Sequence, residues 1–217
     1  MRQPWRDSSA VFHQRAQEYD SWFDDSLLFA IETTAIRALP FPLRGPGLEI
    51  GVGPGRFAAA LGSTFGIDPA AAPLAIAKSR GIRTCQAIGE ALPFRANSFA
   101  TVSLLFTLCF LQNPGRVLQE SRRVLEENGH IILGLVPATS VWGKNLRQKK
   151  EADHPFYKQA HFFTIGEVKT LLAEQGFSVK AAVSSLYQPP GKVVQEEESR
   201  PGMDEKAGFV VLMAQAP

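Results

Sequence analysis

Apolar residues recur at helical spacing near the start of the chain, at Phe12, Ala16, Tyr19 and Phe23, with Gln14, Arg15, Gln17 and Glu18 between them. That rhythm predicts an amphipathic helix, with Ser8 or Ser9 available as its N-cap. A second helix is predicted over residues 27–39, ending at Pro40-Phe41-Pro42 because proline cannot continue a helix interior. A turn-rich lead over residues 44–47 follows. Short apolar runs then alternate with helical stretches: strands at 48–50, 64–67, 84–88, 99–106 and 131–136, and helices at 56–62, from 68–69 to Gly81, and from Asn113-Pro114 to Asn128-Gly129. The run at 99–106 is apolar on both faces, which suits a central parallel strand covered on both sides. Thr164 and Glu167 have capping-box spacing, and Phe163 with Val168 the staple spacing, for a helix through Ala173 that ends at Gly176. Strands at 177–186 and 209–214 leave little room for a crossover helix and should pair antiparallel. The polar, Pro- and Glu-containing stretch 188–206 between them reads as a mobile hairpin loop. No internal repeat is found. This alternation predicts an α/β, doubly wound sheet of seven strands, mostly parallel with an antiparallel last strand.

Composition changes this picture little. Of 217 residues, 45% are hydrophobic and 20% charged, which fits one globular domain and excludes wholesale disorder. A net charge of +2 does not call for nucleic acid as a partner. The basic runs Lys144, Arg147, Lys149, Lys150 and Arg116, Arg122, Arg123 have no interleaved aromatics and read as solvated faces. Cys85 and Cys109 form no disulfide framework or metal motif and read as inert buried thiols. With a polar start and no apolar run near membrane-spanning length, the expectation is a cytoplasmic protein without membrane contact.

The chemistry concentrates in Leu48-Glu49-Ile50-Gly51-Val52-Gly53-Pro54-Gly55-Arg56. A strand ends in an acid, and alternating glycines then lead into a helix, so backbone can turn sharply and approach a ligand closely. A dinucleotide fingerprint is the obvious competitor, but it requires a small residue where Arg56 stands; a P-loop is excluded because no G-K-S/T follows. Asp68, at the tip of the second strand, suits the ribose hydroxyls of NAD or of an adenosyl cofactor alike.

A third block, Gly89-Glu90-Ala91-Leu92-Pro93-Phe94, followed by Asn97-Ser98-Phe99-Ala100 and a strand, completes a pattern that resembles the class I S-adenosylmethionine (SAM) methyltransferases. The likeness is to the group containing the ubiquinone and menaquinone biosynthesis enzymes, and its blocks run in order from Tyr19 to about Ile132. Segments around Cys109-Phe110, Trp142-Gly143-Lys144 and Phe156 to Phe163 are similar to a subset of small bacterial methyltransferases. The resemblance implies a Rossmann-like fold over residues 1–217, with a helical lid at 1–43 and a core at 44–217. It implies SAM as cofactor, S-adenosylhomocysteine as product and a small-molecule methyl acceptor. Glu49, Gly51, Gly53 and Gly55 would hold the methionine half, and Asp68 the ribose with Pro69 against the adenine. Ile88, Gly89 and Glu90 would edge the adenine, Phe106 and Thr107 would lie under the sulfonium, and Tyr19 and Trp22 would belong to the lid. Ile88 departs from the acid many relatives carry after strand three, which leaves adenine to backbone contacts.

Methyl transfer from a sulfonium needs orientation and a dry site more than a reactive side chain. A base is required only where the acceptor must lose a proton. His154, His161, Tyr157 and Asp20 are the candidates, each with a plainer structural reading. Trp22, Trp142, Tyr157 and His161 are candidate substrate contacts; packing against the sheet is the plainer role for the aromatic cluster. Two rival functions stay open: a methyltransferase-like binding or regulatory protein without turnover, and an NAD-dependent oxidoreductase. The acceptor atom and the oligomeric state are left open as well.

Overall fold

The computed structural model describes residues 5–40 and 45–216. Phe41, Pro42 and Arg44, part of the predicted helix stop and lead, lie outside the described residues. Strands β1 (Gly47–Ile50), β2 (Phe65–Asp68), β3 (Arg83–Gln86), β4 (Phe99–Leu105), β5 (Leu125–Leu135), β6 (Ser178–Ser185), β7 (Arg200–Pro201) and β8 (Phe209–Gln215) make one sheet. Its order is β3-β2-β1-β4-β5-β8-β6-β7. The first five strands are parallel, and β8 runs antiparallel between β5 and β6, as the short connection requires. The eighth strand, β7, pairs with β6 inside the stretch expected to be a mobile loop. That stretch is held by side chains: Tyr187 N donates to Glu197 Oε1 at 2.7 Å and Ser184 Oγ to Gly202 O at 2.8 Å. Strand order reverses between β1 and β4, which opens a crevice at their carboxyl ends.

Helices cover both faces. Successive residues of one strand point to opposite sides, so Leu104, Ile131 and Leu133 pack with Val117, Leu118, Val168 and Leu172, while Leu105 and Ile132 pack with Ile31, Ile36 and Phe57. The first set of helical residues comes from α6 (Pro114–Val124) and α8 (Ile165–Glu174); the second comes from α3 (Leu27–Arg37) and α4 (Arg56–Leu61). Asn113 caps α6 by accepting from Arg116 N at 2.9 Å, and Thr164 with Glu167 forms the complete capping box of α8. The expected stop of α6 at Asn128-Gly129 is displaced: the helix ends at Val124, because Leu125 already pairs with Phe99 in the sheet. The register jump from Phe99 to Thr101 absorbs residues 126–129, with Asn128 at φ +60°.

The N-terminal pattern resolves into two helices, α1 (Trp5–Gln14) and α2 (Ala16–Ser21), broken at Arg15. Ser8 lies inside α1 and is buried, so neither it nor Ser9 caps the helix; Ser26 caps α3, accepting from Phe29 N at 3.3 Å. Both α1 and α2 pack on α5 (Ala71–Ser79) over the crevice.

One ion network joins these helices to the core. Asp20 accepts from Arg56 Nε at 2.7 Å and from Arg80 Nη2 at 2.9 Å. Arg80 also donates to Pro54 O at 2.7 Å, so the network grips the glycine loop itself. Burial opposes ionisation of Asp20, but hydrogen bonds from Arg56 and Arg80 prevail and hold its carboxyl below its ordinary value. That commitment removes Asp20 from the candidate bases. Two other sequence readings also change. Cys85 is exposed because β3 is an edge strand. The two basic runs are not merely solvated: Arg123 holds Glu120 at 2.7 Å and Leu92 O at 3.0 Å, and Lys150 donates to Ala160 O at 2.7 Å.

Asp20 and Asp24 both pair with Arg56, but their side chains are 12% and 62% exposed. Asp20→Ala removes the ion partner of Arg80 and leaves Arg56 only the exposed Asp24, and should cost about 2–3 kcal/mol, whereas Asp24→Ala should cost under about 1 kcal/mol. Urea unfolding of the two variants, read at constant slope, checks this order.

Candidate functional site

The crevice holds a cavity of about 110 Å³ over the glycine loop. Gly51 has φ +71°, and a Cβ there would lie 2.4 Å from Thr107 Cγ2, so the turn after β1 tolerates no side chain. Gly51 N and Val52 N both donate to Ile67 O, at 2.8 and 2.9 Å, which ties the loop to β2. Gly53 N donates to Asp68 Oδ2 at 3.1 Å and Ala70 N to Asp68 Oδ1 at 2.8 Å. Burial raises the Asp68 carboxyl to about 6 despite those two donors. Glu49 is 2% exposed, and its Oε2 has no hydrogen-bond partner among the described residues. Burial, followed by the charge of Asp68, pushes the Glu49 carboxyl to about 8.

This cavity gathers Tyr19, Glu49, Gly51, Gly53, Asp68, Pro69, Ile88, Gly89, Glu90, Phe106 and Thr107. Gly55 stands apart from it. Its φ of +79° starts α4, and a Cβ would meet Ala77 Cβ at 2.9 Å, so this glycine serves the packing of α4 on α5. Arg56 lines the cavity while remaining paired with Asp20. Glu90 accepts from Asn113 N at 3.4 Å, which joins the third sequence block to the start of α6.

An adjoining cavity of about 200 Å³ shares Phe12, Tyr19, Phe23, Phe106 and Phe110 with the first. Trp22, Phe29, Trp142, Phe156, Tyr157 and Phe162 extend the aromatic lining. Six described residues other than glycine have positive φ; four are Asp or Asn, which tolerate it. The two bulky ones, Phe106 (φ +58°) and Leu186 (φ +66°), both line this cavity. Backbone strain of roughly 1–3 kcal/mol per residue is thus concentrated where the cavity wall is shaped. Phe106 is held in that conformation by its N–H on Gly134 O at 2.8 Å and by stacking on Phe209 at 5.0 Å.

The candidate bases separate in space. Tyr157 lines the aromatic cavity, and burial raises its hydroxyl well above the ordinary value. His161 is exposed, packs on Phe163 at 4.5 Å and lines neither cavity, while its backbone N–H donates to Cys109 O at 2.7 Å. His154 also lines neither; its ring lies 5.0 Å from Tyr157, and burial, then the charge of Lys149, lowers its pKa. Trp22 and Trp142 line the aromatic cavity, Trp142 with its Nε1 on Gln188 O at 2.8 Å.

Sequence reasoning missed Glu32. It sits on α3 between Leu28 and Ile36 at spacings of four, on the apolar stripe, and that misplaced charge was the available signal. Burial pushes its carboxyl to about 8.

Comparison with known proteins agrees with this geometry. The methyltransferase domain family matches residues 48–133, which span β1 to most of β5. An uncharacterised protein of Mycobacterium tuberculosis is 37% identical over 211 residues, covering 95% of this chain and 74% of that protein. Another, from Methanocaldococcus jannaschii, is 37% identical over 207 residues, covering 94% and 98%. A solved SAM-dependent methyltransferase of Thermotoga maritima, described as a possible histamine N-methyltransferase, superposes with a TM-score of 0.90 at 32% identity, covering 97% of this chain and all of the other. With the glycine loop, the acid after β2 and the strand order in place, this chain belongs to the SAM-dependent methyltransferase family.

Proposed function

We propose that the chain transfers the methyl group of SAM to a small molecule held in the aromatic cavity. The observation that carries this reading is the pair of adjoining cavities, one over the glycine loop and one aromatic, with a shared wall that includes Tyr19 and Phe106. When bound, SAM supplies an electrophilic methyl on a sulfonium. The residues present fit it: the orphaned Oε2 of Glu49 is an acceptor awaiting a donor such as the ammonium of the methionine half. Asp68 would take the ribose hydroxyls on its free lone pairs, with Pro69 beside the adenine and Ile88, Gly89 and Glu90 along its edge. Gly51 and Gly53 would let the methionine half approach backbone, and Phe106 and Thr107 would lie beneath the sulfonium. Helices α1–α3 would act as a lid over the core, keeping water from the reacting atoms. The description of the Thermotoga neighbour points the acceptor search toward small amines. A cytoplasmic setting belongs to the same proposal; no described helix is long and apolar enough to cross a membrane.

Thermal melting tests the cofactor. S-adenosylhomocysteine at a hundredfold excess over Kd should add about 2.7 kcal/mol, raising Tm by about 5–10 °C, while NAD should add nothing. In Asp68→Ala the Kd for S-adenosylhomocysteine should rise about thirtyfold, the loss of roughly 2 kcal/mol in charged hydrogen bonds. Unchanged affinity would remove Asp68 from the ribose. Turnover is then tested with labelled SAM against small amines, phenols and thiols.

A second expectation follows from Glu49. An ammonium binds its carboxylate, and the ligand-free carboxyl titrates near 8, so binding below that pH must expel a proton. S-adenosylhomocysteine affinity should therefore weaken as pH falls from 8 to 6, by up to about tenfold per unit, the limit for one proton. Glu49→Gln should bind weakly with a flattened profile. Isothermal titration across this range reads both.

A further inference from the structure

We propose that Glu32 is the counter-ion and proton acceptor for an ammonium group on the methyl acceptor, which makes the substrate class a small amine carrying an apolar or aromatic body. The inference rests on the aromatic cavity being the acceptor site. Glu32 is the only Asp, Glu, Lys, Arg or His that lines that cavity among the described residues. No described side chain or backbone group is hydrogen-bonded or ion-paired to its carboxyl, although the helix on which it sits is otherwise apolar on that face. Rings line the same cavity, among them Tyr19, Phe29, Trp142 and Tyr157, and the charge of Glu32 is felt at the hydroxyls of Tyr19 and Tyr157. Ring faces attract cations, and a half-buried carboxylate on an apolar wall without a partner is costly until a cation arrives. An alcohol or a carboxylic acid would leave that cost in place or increase it. An ammonium removes it.

The same contact readies the nitrogen. An ammonium has no lone pair to accept a methyl; passing one N–H proton to a Glu32 oxygen leaves a neutral amine with its pair free, and Glu32 as the neutral acid. The other titratable groups facing this space stay uncharged near neutrality. Burial pushes the Cys109 thiol to about 12 and carries the hydroxyls of Tyr19 and Tyr157 higher still. Lys149, 5.9 Å from the Tyr157 ring, and His154 lie behind that ring and outside the lining. Glu32, raised to about 8, is thus the group that titrates. At pH 7 the empty site and a free ammonium together carry one positive charge, while the bound pair carries none wherever the proton sits. Binding therefore releases about one proton.

The test uses three matched probes with the intact protein: 2-phenylethylamine, 2-phenylethanol and 3-phenylpropanoate, each titrated calorimetrically at pH 7 in two buffers of different ionisation enthalpy. The amine should bind at least about tenfold more tightly than the alcohol, with about one proton released per amine bound and none per alcohol. The anion should bind least. In Glu32→Gln the amine should fall to the level of the alcohol without proton release, while S-adenosylhomocysteine binding, which reports an intact fold, stays within about twofold because Glu32 lies outside the cofactor cavity. Equal binding of amine and alcohol by the wild type, or amine binding in Glu32→Gln with its proton release intact, would overturn the assignment. Failure of S-adenosylhomocysteine to bind the wild type would overturn the methyl-transfer reading instead, a result the amine-to-alcohol ratio does not depend on.

Discussion

Helices α1 and α2 pack on α5 beside the glycine loop, and the contact that ties α2 to the core is Asp20. Its carboxylate reaches Arg56 at the start of α4 and Arg80 just past α5, while Arg80 also holds the carbonyl of Pro54. The loop that must approach a ligand and the helices that must cover it therefore share one set of charges. Isolated surface ion pairs contribute little, but here one largely buried carboxylate bridges two guanidinium groups, and removing it would leave Arg80 without its ion pair and Arg56 with only the exposed Asp24. Arg56 also explains the broken dinucleotide fingerprint. The position that would be small in a nicotinamide-binding loop is filled by the side chain that holds Asp20 of α2.

Around that joint the protein places acids where they lack partners. Glu49 in one cavity and Glu32 in the other are both pushed to about 8 by burial, and neither faces a protein cation. Elsewhere the chain pairs its buried acid, as Glu120 with Arg123 shows. Leaving two acids unmatched destabilises the empty protein and favours ligands that bring positive charge. The bulky left-handed residues Phe106 and Leu186 act in the same direction, since their strain fixes the cavity wall before anything binds.

Much of the fold could be read from periodicity. The alternating runs located all seven long strands, and the central position of 99–106 followed from its having no polar face. Capping chemistry at Asn113 and Thr164 located two helix starts to the residue. Errors came where tertiary pairing overrode a local signal. Asn128-Gly129 marks a turn, but within a bulged strand, because Phe99 captures Leu125 first. Serines near a helix start need not cap it, and Ser8 is buried one turn inside. The two-residue β7 has too little pattern to detect at all. In the candidate site, the turn at Gly51 was legible because its positive φ and the close approach of Thr107 demand glycine there. The aromatic cavity was legible only in part: Trp22, Trp142 and Tyr157 were candidate substrate contacts and do line it, whereas Phe12 and Phe29 come from segments far away in the chain and meet them only after folding. His154 and His161 line neither cavity, because a titratable ring in an aromatic-rich segment says nothing of which way it points.

The shared wall between the cavities sets the final constraint. In-line methyl transfer needs donor and acceptor on opposite sides of one carbon, separated by little more than contact distance. Phe12, Tyr19, Phe23, Phe106 and Phe110 border both spaces, so they are the side chains able to form the aperture through which a methyl would pass. Three of the five belong to the N-terminal segment, and Tyr19 adjoins Asp20. Their positions therefore follow the ion network, whereas Phe106 follows strand β4 and its strained turn. One edge of this wall therefore sits on the N-terminal helices beside the Asp20 ion pairs, and the other on the sheet. The ion pairs of Asp20 and the strained turn at Phe106 thus fix opposite edges of the same wall.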